Sequence, residues 1–229
     1  MQKYGAFTQI LAVKKLQGAS CADVEIKSLE DIVAVASETN NGGLRGHVVI
    51  AQLDLHVIFQ DWDSAMALVQ KAGNVRQDSF GSFGGVRFTV LEALTCLKGV
   101  QRSESWMAKN RWKRRAKKTI GIIRSWLKKG NVNVVHWMHL LTAESCAIQG
   151  KVAQAKEEFK LAITAATKNG FLQDKSIAHE LSGQFYARER DMYWARYHLD
   201  RAEESFADWG ATAKVERVAE QKELLLKES

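Results

Sequence analysis

The sequence predicts an all-α protein built from pairs of helices. None of its 229 residues is proline, the residue that interrupts helix interiors. Breaks rich in glycine and asparagine separate segments of about 12 to 20 residues, the usual length of a helix in a globular protein. None of these segments shows the sustained alternation of apolar and polar residues that marks a strand, so we expect essentially no β-structure.

The breaks fix the order of the helices along the chain. We place them at residues 39–43, 71–74, 79–85, 128–133, 148–151, 168–171, 188–191 and 208–211. Residues 1–45 form an N-terminal helical segment that includes a helix in "SLEDIVAVASE", with Ser28 as N-cap and Asp31 in the capping-box position. Residues 46–210 hold the helical repeats. Residues 211–229 hold a charged terminal helix, as expected at the end of a helical array.

The last third of the chain repeats itself after 40 residues. Small and apolar residues of one segment align with those of the next: Ala155, Phe159, Ala162, Ala166 and Gly170 with Ala195, Leu199, Ala202, Phe206 and Gly210. In the helix before each of these, Ala143 aligns with Gly183. Small residues at these points let two paired helices approach closely, while the aligned set lines one stripe of the second helix.

Earlier copies of the pattern are degenerate. The same spacing recurs at Ala65, Val69 and Ala72 and at Ala116, Ile120 and Ile123, each time after an apolar segment. We therefore count about four helix pairs. The arrangement is that of tetratricopeptide repeats, with a period of 40 residues in this sequence in place of the usual 34 or so. It predicts a right-handed α-solenoid.

Longer stretches of the sequence are similar to one known family. Residues 28–220, including "RWKRRAKKTIGIIRSWLKKG", "NGFLQDKSIAHE" and "WGATAKVE", resemble the tetratricopeptide-like superhelix of large multidomain signalling proteins. In that family a serine/threonine-kinase-like domain and a STAND-type P-loop ATPase precede the superhelix, and sensor histidine kinase modules often follow it. The chain departs from the family at "GNVNVVH", where a proline commonly follows "GN". The resemblance implies a helical arm that links or regulates signalling modules and contacts protein partners.

The catalytic motifs of that family are absent from the sequence. "GSFGG" lacks the lysine of a phosphate-binding loop, and there is no kinase catalytic-loop motif. We therefore expect no enzymatic activity, no catalytic residue and no cofactor. No window approaches eighteen consecutive apolar residues, so no membrane span is expected. Three scattered cysteines, Cys21, Cys96 and Cys146, favour a reducing compartment and a cytoplasmic location.

One basic segment stands out from an otherwise slightly acidic chain. Twelve Lys and Arg face a single acid, Glu104, between Lys98 and Lys129, whereas the remainder holds 21 basic and 25 acidic residues. The net charge of +7 is therefore a local feature that needs a local explanation.

A helical wheel divides this segment into an apolar stripe and a basic side. The stripe holds Trp112, Ala116, Thr119, Ile120, Ile123 and Leu127, and the boundary holds Lys113, Arg115 and Arg124. The candidate residues for an anionic partner lie opposite the stripe: Arg111, Arg114, Lys117, Lys118, Lys128 and Lys129. The simplest interpretation is a repeat helix with a solvated side. The alternatives are an acidic protein segment, or RNA, DNA or acidic lipid, although an aromatic stacking platform is missing because Trp112 and Trp126 lie near the stripe.

Other chemistry-bearing residues are weaker candidates. His136 and His139 are three residues apart, but no Cys or acid at ligand spacing completes a set, so we expect no metal site. Cys96 and Cys146 lie in apolar helices and are expected to be unreactive. The aromatic residues of "GQFYARERDMYWARYHL" are expected to pack between helices, with a peptide groove as the alternative.

These observations predict a non-enzymatic scaffold. We expect a protein–protein interaction or regulatory segment of a signal-transduction protein, whose partners are peptides, neighbouring domains or other subunits. The alternative is an anion-binding adaptor that uses the basic helix 109–129 on RNA, DNA or acidic lipid.

Overall fold

The computed structural model describes residues 2–20, 29–39, 41–73, 75–78 and 82–227. Helices joined by short connections make up this part of the chain, and it contains no strand. The prediction of an all-α protein is therefore confirmed. The chain divides into two compact units, Met1–Thr119 and Ile120–Ser229.

Seven helices begin in the described part of the first unit. They are α1 (Gln2–Gln17), α2 (Leu29–Glu38), α3 (Gly42–Ile58), α4 (Trp62–Lys71), α5 (Val75–Asp78), α6 (Phe83–Arg102) and α7 (Trp106–Lys128). Helix α3 lies at the centre of this unit, because α1, α2, α4, α5 and α6 all pack against it. The predicted helix in "SLEDIVAVASE" corresponds to α2, whereas its predicted N-cap, Ser28, lies outside the described residues. The short helix α5 was not predicted.

Polar N-caps start three helices of the first unit. Asn41 accepts a hydrogen bond from the backbone N–H of Leu44 at 3.0 Å, and Asp61 accepts one from Ser64 at 3.2 Å. Ser82 does the same for α6. These side chains satisfy backbone donors that the first turn of a helix leaves unpaired. Two of the predicted breaks, at 39–43 and 79–85, therefore also initiate the helix that follows.

The second unit holds five helices in regular succession. A 3₁₀ turn (Val132–Val134) leads into α8 (Val135–Ile148), followed by α9 (Val152–Lys168), α10 (Leu172–Arg188), α11 (Met192–Asp208) and α12 (Thr212–Lys227). Each packs against the next one in the chain. The eight aligned residues of α9 and α11 that precede the glycines are at most 1% exposed, as the stripe predicted.

The predicted close approach of paired helices is observed in α10 and α11. A Cβ atom added to Gly183 would lie 2.7 Å from Cγ of Leu199 and 3.2 Å from the carbonyl oxygen of Ala195. No side chain fits at 183 without displacing its neighbours. The absence of a side chain therefore sets how closely these two helices pack.

Two sets of buried polar contacts link helices of the second unit that are not consecutive in the chain. Asp174 accepts hydrogen bonds from Nε2 of His136 at 2.7 Å and Nε1 of Trp137 at 3.0 Å. Nζ of Lys214 donates to Oε1 of Glu180 at 2.6 Å, and both side chains are almost fully buried. These contacts bridge α8 with α10 and α10 with α12. Neither set of contacts follows from a local sequence pattern.

Candidate anion-binding surface

Helix α7 has an apolar side and a basic side, because its apolar and basic residues alternate with the period of a helix. Trp112, Ala116, Thr119 and Ile123 are buried, as the wheel predicted. A residue three or four positions along returns to the same side of a helix, so the interleaved cations face away from the core.

All six predicted candidate cations are exposed. They are Arg111, Arg114, Lys117, Lys118, Lys128 and Lys129, and Lys109, Lys113 and Arg124 are exposed as well. We call these nine residues the basic face. Across the part of the chain that the structure describes, no carboxylate oxygen comes within 4.0 Å of a charged nitrogen of the basic face. The face therefore presents positive charge that no described acid neutralises.

Arg115 is the one cation of residues 109–130, all of them described, that turns inward. Its guanidinium donates from Nε to Oε1 of Glu92 at 2.8 Å and from Nη2 to the carbonyl oxygen of Val69 at 2.8 Å. Arg76 approaches the other oxygen of the same carboxylate at 3.1 Å, within ion-pair range but without hydrogen-bond geometry. The Glu92 side chain is fully buried. A buried carboxylate is tolerated only when it is paired, so Arg115 has a structural role that separates it from the basic face.

A close backbone approach holds the first half of α7 in place. A Cβ atom on Gly99 of α6 would lie 2.7 Å from Cδ2 of Trp112. Trp112 is itself only 4% exposed. With the indole ring seated on Gly99 and Arg115 bound to Glu92, this stretch of α7 is fixed against α6 and α4. The neighbouring cations Lys113, Arg114 and Lys117 therefore project from a stretch of helix that is held in place.

Two large apolar side chains begin the exposed side of α7. Trp106 is 76% exposed and Met107 is 74% exposed. Successive residues of a helix are turned by about 100°, so residue 106 lies in line with 113 and 117, and residue 107 with 114 and 118. One exposed aromatic residue, Trp106, therefore accompanies the basic face. Trp106 lies three residues before Lys109, outside the stretch whose tryptophans, Trp112 and Trp126, lie near the apolar stripe.

The described histidines of the second unit pair with neighbouring side chains. Nδ1 of His139 lies 2.7 Å from Oε2 of Glu158, and Nδ1 of His179 lies 3.1 Å from Nδ1 of His198. Burial and, secondarily, the neighbouring imidazole and cations lower the pKa of His179 to about 3, and burial lowers the pKa of His198 to about 4. Among the described residues, no group of three or more His, Cys, Asp or Glu is arranged to hold a metal ion.

Both described cysteine thiols are buried and lie in helices. Burial, followed by the charge of Glu92, raises the pKa of Cys96 to about 12. Burial likewise raises the pKa of Cys146 above its ordinary value. Both thiols are therefore protonated near neutral pH, which makes them poor nucleophiles and poor metal ligands. Cys21 lies outside the described residues.

The aromatic cluster at the turn between α10 and α11 divides into buried and exposed members. Phe185 and Tyr186 are buried, as expected of packing residues. Tyr193, Trp194 and Tyr197 are exposed and stack edge to face along α11. The packing interpretation therefore holds for the first two residues and not for the other three.

Comparison with known proteins adds no relative. No family model matches this chain, no curated protein matches it, and no solved structure matches it. In the described part of the chain, no helix is both long and apolar enough to cross a membrane.

Proposed function

We propose that this chain is a non-enzymatic scaffold that binds protein partners. In this proposal its helices form about four degenerate tetratricopeptide-like pairs, with a period of about 40 residues, in a right-handed α-solenoid. The aligned buried stripes of α9 and α11 support the repeat, and so does the sequential packing of α8 to α12. The family resemblance supports a segment of a signal-transduction protein, and the three scattered cysteines support a cytoplasmic location.

The basic face of α7 is the proposed recognition surface, and its partner is an acidic segment of a protein. The observation that carries the proposal is nine exposed cations, eight on α7 and Lys129 directly after it, with no described carboxylate within 4.0 Å. Folding does not require this charge, because the apolar stripe already seats the helix. Like charges three or four residues apart, such as Arg114 with Lys117 and Lys118, destabilise a helix by about 0.2–0.5 kcal/mol per pair. An acidic partner offsets this repulsion.

Fluorescence anisotropy with labelled poly-glutamate tests the proposal. We expect binding that weakens steeply between about 50 and about 200 mM salt, as for a surface whose charges are neutralised by a polyanion. The triple variant R114E/K117E/K118E should abolish this binding while its circular dichroism and melting temperature remain those of the parent, since all three side chains are exposed.

A matched variant controls for net charge. K160E/K168E/R188E reverses three exposed cations of α9 and α10 and changes the total charge by the same amount. We expect it to bind poly-glutamate almost as well as the parent. Equal loss in both triple variants would mean that only overall charge matters, and the proposal of a recognition surface would fail.

The second candidate function is an anion-binding adaptor that uses the same face on RNA, DNA or acidic lipid. The exposed indole of Trp106 beside the cations favours it, because bases stack on aromatic rings and Trp is common at membrane interfaces. The same assay with single-stranded RNA, single-stranded DNA and phosphatidylserine vesicles distinguishes the candidates. Binding to one of these at a salt concentration that abolishes poly-glutamate binding would favour the adaptor.

A further inference from the structure

We infer that Trp106 and Met107 form an apolar anchor site at the start of the basic face, and that the partner is an acidic peptide with one large apolar side chain beside its acids. This inference rests on the proposed function and specifies its ligand. The two residues, 76% and 74% exposed, are neighbours in sequence and stand on the side of α7 that carries the cations. We call them the anchor pair.

The exposure of the anchor pair has no explanation in the fold. Single apolar side chains scattered over a surface are common, but two adjacent large ones at three-quarters exposure are a small contact patch. Neither residue is needed to start the helix, since neither side chain caps a backbone group. Tryptophan also gains more from being covered than most side chains, because it buries about 150–250 Å² in a typical contact.

The anchor pair and the cations lie in two rows along the helix axis. Trp106 leads a row that continues with Lys113 and Lys117, and Met107 leads a row that continues with Arg114 and Lys118. At a rise of about 1.5 Å per residue, about 16 Å separates Trp106 from Lys117, and Met107 from Lys118. An extended peptide covers that length with about five residues, at about 3.3 Å each. The matching ligand therefore has one apolar residue followed or preceded by a run of about five acids.

A peptide fits these features better than a polynucleotide or a bilayer does. Sequence-independent binding of single strands uses a basic groove with several stacking rings, whereas α7 offers a projecting side with one ring. A helix that lies in a membrane interface buries its apolar side in lipid, but the apolar side of α7, including Trp112 and Ile123, is buried within the protein. Methionine beside tryptophan is an adaptable surface for aliphatic and aromatic side chains.

Paired peptides test the anchor site in the full chain. One labelled peptide carries a leucine next to five glutamates, the other an alanine in place of leucine, and each is made with the apolar residue at either end. We expect the leucine peptide, in one of its two directions, to bind the parent about tenfold more tightly than its alanine counterpart, from burial of the larger side chain. In W106A/M107A this preference should disappear, so that both peptides bind with the affinity of the alanine peptide.

Two further variants separate the possible outcomes. Y193A removes an aromatic side chain that is 74% exposed on α11, and it should keep the leucine preference. R114E/K117E/K118E should weaken the binding of both peptides equally.

Failure of the parent to bind either peptide overturns the proposed function itself. Binding without a leucine preference, or a preference that persists in W106A/M107A, overturns the anchor site alone. An effect of W106A/M107A on single-stranded RNA or phosphatidylserine vesicles and not on the peptides also overturns it, and assigns the pair to that ligand.

Discussion

Between Gly130 and Gly210 a residue with positive φ recurs every twenty residues, at 130, 150, 170, 190 and 210. The same two backbone hydrogen bonds close each of these turns. At Gly170, its N–H donates to the carbonyl oxygen of Thr167, and the N–H of Phe171 donates to the carbonyl oxygen of Ala166. This pair of hydrogen bonds is the Schellman ending of a helix. In the first unit the described residues with positive φ are Gly18, Gln60 and Gly73, at no common spacing.

The difference shows two ways to stabilise a stack of helices. Helices α9, α10 and α11 each contain 17 residues, and α9 and α11 share the same buried stripe. The described helices that lie wholly within the first unit range from 4 to 20 residues. The longest of them is α6, in which every residue from Arg87 to Val100 is buried. That helix relies on specific charge pairs, such as Arg87 with Asp54 at 2.6 Å. The second unit buries charge as well, at Glu144, Asp174, Glu180 and Lys214, and these positions can be tested one at a time.

Replacing Lys214 with methionine should have the largest effect. The ammonium group lies 2.6 Å from Glu180, and both side chains are at most 2% exposed, so the variant leaves a buried carboxylate unpaired. We expect a loss of about 3–5 kcal/mol in the free energy of unfolding, measured by urea titration. The double variant E180L/K214M should recover most of it, because no charge is then buried. A double variant no more stable than K214M would show that the pair itself stabilises the unit.

Arg115 offers the comparison in the first unit. Its partner Glu92 is also buried, but Arg76 lies 3.1 Å from the same carboxylate and remains when Arg115 is replaced. The Arg115 side chain is also about one-third exposed, at 33%. We therefore expect R115M to cost less than K214M. A larger loss in R115M would reverse the contrast between the two units.

Acid should destabilise the second unit through its histidine pair. Burial holds the pKa of His179 near 3 and that of His198 near 4, whereas an unfolded histidine titrates near 6.5. The unfolded chain therefore binds more protons than the folded chain between about pH 6.5 and about pH 4. Stability is fully present above that range and decreases as the pH falls through it, by up to about 1.4 kcal/mol per pH unit for each histidine. Cations near the pair, Lys175 and Arg201, act in the same direction.

The preceding repeat supplies the control for the pH dependence. His139 and Glu158 occupy the positions equivalent to His179 and His198, with a carboxylate as the partner. In H198E the new carboxylate favours protonated His179, so the decrease in stability between pH 6.5 and pH 4 should become smaller. The reciprocal change E158H should make it larger. The measurement is the urea midpoint at a series of pH values, and an unchanged slope in both variants would contradict the assignment to this pair.

Two glycines inside helices should respond to alanine with opposite signs. In G183A the new methyl group meets Leu199 at 2.7 Å, and the overpacking should exceed the gain in helix propensity, for a net loss of about 1 kcal/mol or more. Gly121 of α7 is exposed and has no neighbouring atom within 4 Å of its added Cβ. G121A should therefore raise the free energy of unfolding by about 1 kcal/mol. Thermal and urea unfolding measure both, and a stabilised G183A would mean that the helix pair can separate at little cost.

Regular features could be predicted from the sequence, while long-range polar contacts could not. The stripe of Ala155 and Phe159, and the exposure of Arg114, follow from helical periodicity, which acts over three or four residues. Lys214 and Glu180 are 34 residues apart and belong to helices that are not consecutive, so no local pattern joins them. Arg115 was placed at the boundary of the wheel, and its inward direction depends on Glu92 of another helix. The exposure of Trp106 also follows from helical periodicity, but a helical wheel that begins at residue 109 does not include it.

Arg190 is the exception to the glycines at the positive-φ positions of the second unit, and replacing it with glycine should stabilise the chain by a small amount. It has φ of 60°, in the series where 130, 150, 170 and 210 are glycine. The left-handed conformation costs a residue with a side chain about 1–2 kcal/mol. Glycine avoids this cost but loses more conformational entropy on folding, which offsets part of the benefit. We therefore expect R190G to raise the free energy of unfolding by about 0.5–1 kcal/mol. G170A, whose added Cβ has no neighbour within 4 Å, should lose a similar amount. Two backbone hydrogen bonds close this turn, from Arg190 to Ala187 and from Asp191 to Tyr186. If urea unfolding shows no gain for R190G, these hydrogen bonds determine the turn and the identity of residue 190 does not affect its stability.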